Sequence, residues 1–180
     1  TCMTADAAPS APSALDRFAR FVSSGGGAGF LPIAPGTWGS GIVTGGLWLL
    51  NLAAPGIVMK PAAGPIMLAT ALGLAWLGVW AGDRVAARLG DDDPSEVVID
   101  EVVGQLLTYS LLPLAGRAWT GWSFEIALVV GFLLFRALDI VKPGPIDDLQ
   151  KLHGGLGIMA DDFLAGIVGA CVMLAAAMLL

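Results

Sequence analysis

Residues His153 to Leu180 read "HGGLGIMADDFLAGIVGACVMLAAAMLL", and the fold turns on how this stretch is read. From Phe163 to Leu180 the run is apolar, close to the ~20 residues that cross a hydrocarbon core. Asp161 and Asp162 stand at its mouth. Gly154, Gly155 and Gly157 predict a pliant loop ahead of them, so the two acids would open the final helix. There the helix dipole favours carboxylates. A cap needs only one acid, however. The second must stay in water or be neutralised, because an unpaired carboxylate in an apolar medium is expensive.

The remainder of the chain is apolar in the same way. Of 180 residues 56% are hydrophobic and only 13% charged, with a mean hydropathy of +0.79. A soluble domain needs more polar surface, so the membrane class is favoured. The net charge of −6 argues against a nucleic-acid partner, which would want a basic face. It leaves an anionic substrate open, because bound divalent cations reverse a local field. Cys2 and Cys171 have no CxxC or histidine-rich surroundings, so neither a zinc site nor a disulfide is expected. The length suits one unit: residues 1–12 read as a disordered tail and 13–180 as a single helical membrane domain.

"SALDRFARFV" places Ser13 as an N-cap with Asp16 three residues on. Leu15, Phe18 and Val22 recur at helical spacing, which predicts an amphipathic helix lying on a membrane surface. Five apolar stretches follow: Gly41–Ala54, Pro61–Trp80, Val102–Leu114, Trp119–Phe135 and Phe163–Leu180. The shorter ones suit buried or re-entrant helices as well as spans. Trp48, Trp76, Trp80, Trp119 and Trp122 lie at or near segment ends, as interfacial anchors do. The expectation is an all-α integral membrane helical bundle, about five apolar helices plus the interfacial one. With five crossings, Arg17, Arg20, Arg84, Arg88, Lys142 and Lys151 share one side and Lys60 and Arg117 the other. The positive-inside rule makes the first side cytoplasmic.

Four polar stretches gather on that side. "GFLPIAPGTWGS", Gly29 to Ser40, predicts an irregular backbone whose amides, with the hydroxyls of Thr37 and Ser40, could hold an anion near a helix start. "DDDPSEVVIDEVVGQ", Asp91 to Gln105, starts a helix after Pro94 with Ser95 as a candidate cap. Asp100 and Glu101 then sit in apolar surroundings, and Glu101 and Gln105 share a face one turn apart. "FRALDIVKPGPID", Phe135 to Asp147, lets Arg136 and Asp139 meet at a spacing of three before Pro143 stops the helix. Arg136 and Lys142 suit a phosphate; Asp139 suits a metal or the orientation of Arg136. The opening stretch supplies Asp161, Asp162 and His153, the one histidine, placed to donate a proton. Oxygen-only ligands of this kind fit Mg²⁺.

"GFLPIAPGTWGS", "VVIDEVVGQ", "FRALDIVKPGPI" and "HGGLGIMADDFLAG" together resemble the successive signatures of the phosphatidylglycerophosphatase A family, in that family's order, from about Gly29 to Gly166. The resemblance implies a Mg²⁺-dependent lipid phosphatase of bacterial membranes; with the apolar stretches and the charge placement above, the expectation is a multi-pass protein of the inner membrane whose active site faces the cytoplasm. The resemblance also implies a substrate, phosphatidylglycerophosphate, dephosphorylated to phosphatidylglycerol. Its acidic motif positions fall on Asp100, Glu101, Asp139, Asp161 and Asp162, its basic ones on Arg136 and Lys142, and its glycine-loop histidine on His153. On this reading some subset of the five acids holds the metal. Asp100, Glu101, Asp162 and His153 carry the catalysis, and Thr37, Ser40, Arg136 and Lys142 bind substrate. The partners are the lipid substrate and the bilayer, with a homo-oligomer left open. The rival is a small polytopic transporter using buried carboxylates for cations, which would spread its acids across membrane depth; Glu125 is the main residue that does so.

Overall fold

The computed structural model of the chain describes residues 11–114 and 124–179, and every regular element among them is helical. Residues 1–10 of the expected tail, Cys2 among them, lie outside the described residues, as do Arg117, Trp119 and Trp122. The helices are α1 (Ala14–Ser23), α2 (Pro35–Ala53), α3 (Ala63–Leu89), α4 (Ile99–Ser110), α5 (Phe124–Val141), α6 (Pro145–Leu149) and α7 (Gly154–Leu179).

α1 begins on the expected capping box. Asp16 N–H donates to Ser13 Oγ at 3.1 Å and Ser13 N–H to Asp16 Oδ2 at 2.8 Å, satisfying two amides that a helix start leaves free. Asp16 also accepts from Arg84 (2.8 Å) and Arg88 (3.0 Å) of α3. The cap therefore docks α1 as well as starting it. Leu15, Phe18 and Phe21 stay exposed while Ala19 is buried, so the bulky face is not used up in the core.

α4 is the central helix: every residue from Val103 to Ser110 is buried. Its neighbours run in definite directions. Glu101 meets Gly36 at the start of α2, and the Tyr109 hydroxyl lies 3.1 Å from Thr44 Oγ1 further along. α2 and α4 are therefore parallel. Gly104 abuts the Asp162 carbonyl and Gly169 abuts Thr108, so α7 runs parallel to α4 too. α5 is antiparallel to α4: Phe135 covers Gly104 while Tyr109 O–H donates to the Leu128 carbonyl at 2.6 Å. α3 is antiparallel to α7, with Gly78 at Met159 and Gly82 at Gly155. Helices α2, α4 and α7 thus begin, and α3 and α5 end, at one pole of the bundle. Three positive dipole ends converge there.

The α4–α7 approach depends on the absence of a side chain. A Cβ on Gly104 would lie 2.6 Å from the Asp162 carbonyl oxygen and would strike the Phe135 ring. Buried Val103, Leu106 and Leu107 of α4 and Met159 and Met173 of α7 share one apolar cluster; each large apolar side chain buried this way is worth about 1.5–3 kcal/mol.

Several expectations change. Two helices, α3 and α7, rather than five, are long and apolar enough to cross a membrane among the described residues. α4 has 12 residues and so extends only about 18 Å, short of the ~30 Å core. α2 is diluted by Gly, Thr, Ser and Asn, and α5 carries Glu125, Arg136 and Asp139. α3 continues past Trp80 to Leu89, so Asp83, Arg84 and Arg88 are helical rather than loop residues. Ser95 does not cap α4, whose N-cap is Val98 with no side-chain bond. Most important, α7 starts at Gly154. The three glycines are its first turns, and Asp161 and Asp162 lie two turns inside it. Their placement is not a capping effect. The cap comes from another helix: Asp83 Oδ1 of α3 accepts the Gly155 N–H at 2.6 Å.

Candidate active site

The convergent pole encloses an open basin of about 530 Å³, a volume ordinary for a ligand site. Pro35 and Gly36 come from the start of α2, Asp100 and Glu101 from the first turn of α4, and Asp139 and Lys142 from the end of α5. The segment before α7 adds His153, and α7 itself adds Gly157, Asp161 and Asp162. Asp92, Asp93 and Ser95, from the polar stretch ahead of α4, form a rim.

At the floor, Asp100, Glu101 and Asp162 each offer a carboxylate oxygen within 4.8 Å of the others'. Asp100 Oδ1, Glu101 Oε2 and Asp162 Oδ1 are buried with no hydrogen-bond partner among the described residues. Burial raises the Asp100 carboxyl well above the ordinary carboxylate range, and the charges of Glu101 and Asp162 push the same way. Burial raises Glu101 too, with Arg136 opposing the rise. Like charges this close resist joint ionisation unless a cation compensates them. Mg²⁺ binds oxygens at about 2.0–2.1 Å, which puts opposite ligands about 4.1 Å apart. The residues present therefore fit a hard divalent cation, with the unpartnered oxygens as its ligands.

The other acids have partners. Asp139 pairs with Arg136 at 2.6 Å across the foreseen spacing of three, and Arg136 Nη1 stands 3.9 Å from Glu101 Oε1. Asp161 accepts from Lys142 at 2.7 Å and from the Asp162 N–H at 2.9 Å. Burial lowers the Lys142 ammonium, but the hydrogen bond and charge of Asp161 outweigh it and leave the group raised. Of the five metal-ligand candidates, three share one gap and two orient the cations beside it. His153 is exposed on the basin wall.

Thr37 and Ser40 stand differently. Both lie in the first turns of α2 rather than in a loop, and neither lines the basin. Ser40 is fully buried and donates to the Gly36 carbonyl at 3.2 Å. What α2 brings forward is Gly36 itself. A Cβ there would collide with the Glu101 carboxylate and lie 3.3 Å from Arg136 Nη1; only a bare backbone allows α2 to start so close. Ala34, a non-glycine residue at φ 48°, turns the chain into that start. The Gly36 approach and the Asp83 cap rest on contacts between distant segments that no local pattern announces.

Among the described residues the acids do not form a path through the bundle. Glu125 is exposed at the start of α5, the far end from Arg136 and Asp139. Carboxylates grouped about one gap, flanked by an arginine and a lysine, are instead the groups that phosphoester hydrolysis uses.

Comparison with known proteins agrees with that class. The chain matches the family described as Phosphatidylglycerophosphatase A over residues 21–177; it belongs to this family and with it to the phosphoric monoester hydrolases. It is 33% identical to the Phosphatidylglycerophosphatase A of Escherichia coli over 83% of this chain and 77% of that one. It is 35% identical to the protein of the same name from Haemophilus influenzae over 84% and 83%. A Bacteroides thetaiotaomicron protein carrying the provisional name phosphatidylinositol-3-phosphatase is 34% identical over 81% and 85%. No solved structure matches the chain significantly.

Proposed function

We propose that the protein is a Mg²⁺-dependent phosphatase that removes the terminal phosphomonoester of phosphatidylglycerophosphate, leaving phosphatidylglycerol and phosphate. The observation that carries the proposal is the gap shared by Asp100, Glu101 and Asp162 beside Arg136 and Lys142. Seven carboxylates and two lysines line the basin, a field that repels a phosphate dianion unless a cation reverses it. When bound, the cation supplies charge neutralisation for the phosphoryl oxygens and acidifies water in the basin.

The chain's own groups do the rest. Arg136, held by Asp139, and Lys142, held by Asp161, face the charge that spreads over the equatorial oxygens during transfer. The free amide end of α2 at Gly36 adds its dipole. His153, solvated at the wall, holds a proton for the departing glycerol oxygen. Gly36, Gly104 and the Asp83 cap fix the helices that carry these groups.

The membrane setting follows from what the surface leaves uncovered. Trp76 of α3 is 78% exposed, Ile33 just ahead of α2 is 76% exposed, and Phe18, Phe21 and Val172 are also open; apolar surface this extensive marks a lipid or partner face. On this reading α3 and α7 cross the bilayer, α1 lies along it, and the acyl chains stay in lipid while the headgroup enters the basin. Arg17, Arg20, Arg84 and Arg88 line one cleft beside the end of α3, at the basin end, which argues for the cytoplasmic face. The bacterial relatives support the inner membrane as the location.

The Bacteroides relative's name favours a second substrate, phosphatidylinositol-3-phosphate. One assay separates the readings: phosphate release from each lipid in detergent, with Mg²⁺ or with EDTA. The proposal predicts Mg²⁺-dependent release with higher kcat/KM on phosphatidylglycerophosphate. Release that EDTA does not touch refutes the cation role, and a preference for the inositol lipid reassigns the substrate.

A further inference from the structure

Gln105 is fully buried in α4, and neither its Oε1 nor its Nε2 has a partner among the described residues. A buried amide left without partners is costly, so a native core keeps one only where something compensates it. Its place in the fold is well defined. Glu101, Gln105 and Tyr109 form one stripe of α4, facing Gly36, Ser40 and Thr44 of the parallel α2. Contacts fix both ends of this seam, Glu101 at Gly36 and Tyr109 at Thr44. α5 closes its other side, through Arg136 near Glu101 and the Leu128 carbonyl on Tyr109.

Beside and below Gln105 the hydroxyl hydrogens of the seam are already committed to backbone carbonyls. Ser40 donates to Gly36, Thr44 to Ser40 and Tyr109 to Leu128. Above it, Glu101 Oε2 is unpartnered among the described residues. Side chains on a helix lean toward its N-terminus, over the preceding turn, so the Gln105 amide leans toward Glu101. A glutamine and a carboxylate at i and i+4 make a known pairing.

From this we infer that Gln105 is a positioning residue: its Nε2–H, directly or through one buried water, holds the Glu101 carboxylate facing Asp100 and Asp162. The inference rests on the reading that those three acids hold a divalent cation. It asks Gln105 to act as the outer partner that ligating carboxylates ordinarily have.

The test separates position from packing. Mn²⁺ is titrated into the purified full chain in detergent and followed by electron paramagnetic resonance, with thermal melting on the same samples. Gln105→Leu keeps the volume and removes the unpartnered amide, so a purely structural role predicts an unchanged Mn²⁺ Kd and an unchanged or higher Tm. The inference predicts that same Tm with a Kd weakened about 10–100-fold. A Kd equal to wild type overturns it. Gln105→Met carries the same comparison if the leucine variant does not fold. Wild-type protein that binds no Mn²⁺, or Glu101→Gln protein that binds it undiminished, sinks the underlying site instead.

Discussion

Gly36→Ala is the substitution whose outcome the geometry constrains most tightly. An added Cβ would overlap the Glu101 carboxylate, and Arg136 Nη1, 3.3 Å from the same point, blocks one direction of escape. The carboxylate must retreat by more than about 1 Å to reach ordinary contact distance. A displacement of about 1 Å at a reacting centre costs on the order of 100-fold, or about 2.7 kcal/mol of barrier. Stability should fall modestly as well, because relieving a buried overlap costs about 1–3 kcal/mol, against at most about 1 kcal/mol gained from alanine as the better helix former. The expected result is phosphate release with kcat/KM down about 100-fold in a protein that still folds, at a somewhat lower Tm. A folded Gly36→Ala protein within about threefold of wild type would refute the view that α2 starts where it does in order to back Glu101.

Asp83→Ala removes the acceptor of the Gly155 N–H and should lower stability by about 0.5–2 kcal/mol. Asp83→Asn, which keeps Oδ1, should lose much less, and equal melting of the two would contradict the cap. The hydrogen bonds of Ser13, then the charge of Arg84, hold Asp16 at a pKa of about 2, below its ordinary value. The stabilisation is therefore present above the usual carboxylate range and lost as pH falls toward about 2. Emission from Trp80, whose ring lies 6.1 Å from Phe18, should report α1 loosening over that window. In Asp16→Asn protein the same emission change should be present at neutral pH. Lys142→Gln should lower kcat more than it raises KM, because the lysine faces charge that builds during transfer; a raised KM with kcat unchanged would make it a ground-state phosphate binder instead.

Much of the site could be read locally. The Arg136–Asp139 pair, the capping box and the stop before Pro143 depend on spacings of a few residues, and each was expected at those residues. Asp100, Glu101 and Asp162 were expected to converge because acids in apolar surroundings need compensation. The start of α7 was not legible. Three glycines read as a loop, and only Asp83, on a different helix, turns them into a helix start. Of the five expected spans, only α3 and α7 are long and apolar enough to cross a membrane among the described residues, because an apolar stretch such as α4 can equally be a short helix buried at the centre of the bundle. Thr37 and Ser40 looked like anion ligands because their loop-like surroundings concealed the first turns of α2. Glu101 and Gln105 were visible as one face; that the face is dry was not.

The claim beneath the rest is that carboxylates from α4 and α7 cage one cation. Anomalous diffraction from crystals soaked in Mn²⁺ tests it most directly. The account predicts a peak about 2.0–2.3 Å from an oxygen of each of Asp100, Glu101 and Asp162. A peak confined to the rim at Asp92 and Asp93, with none among the three, would contradict it.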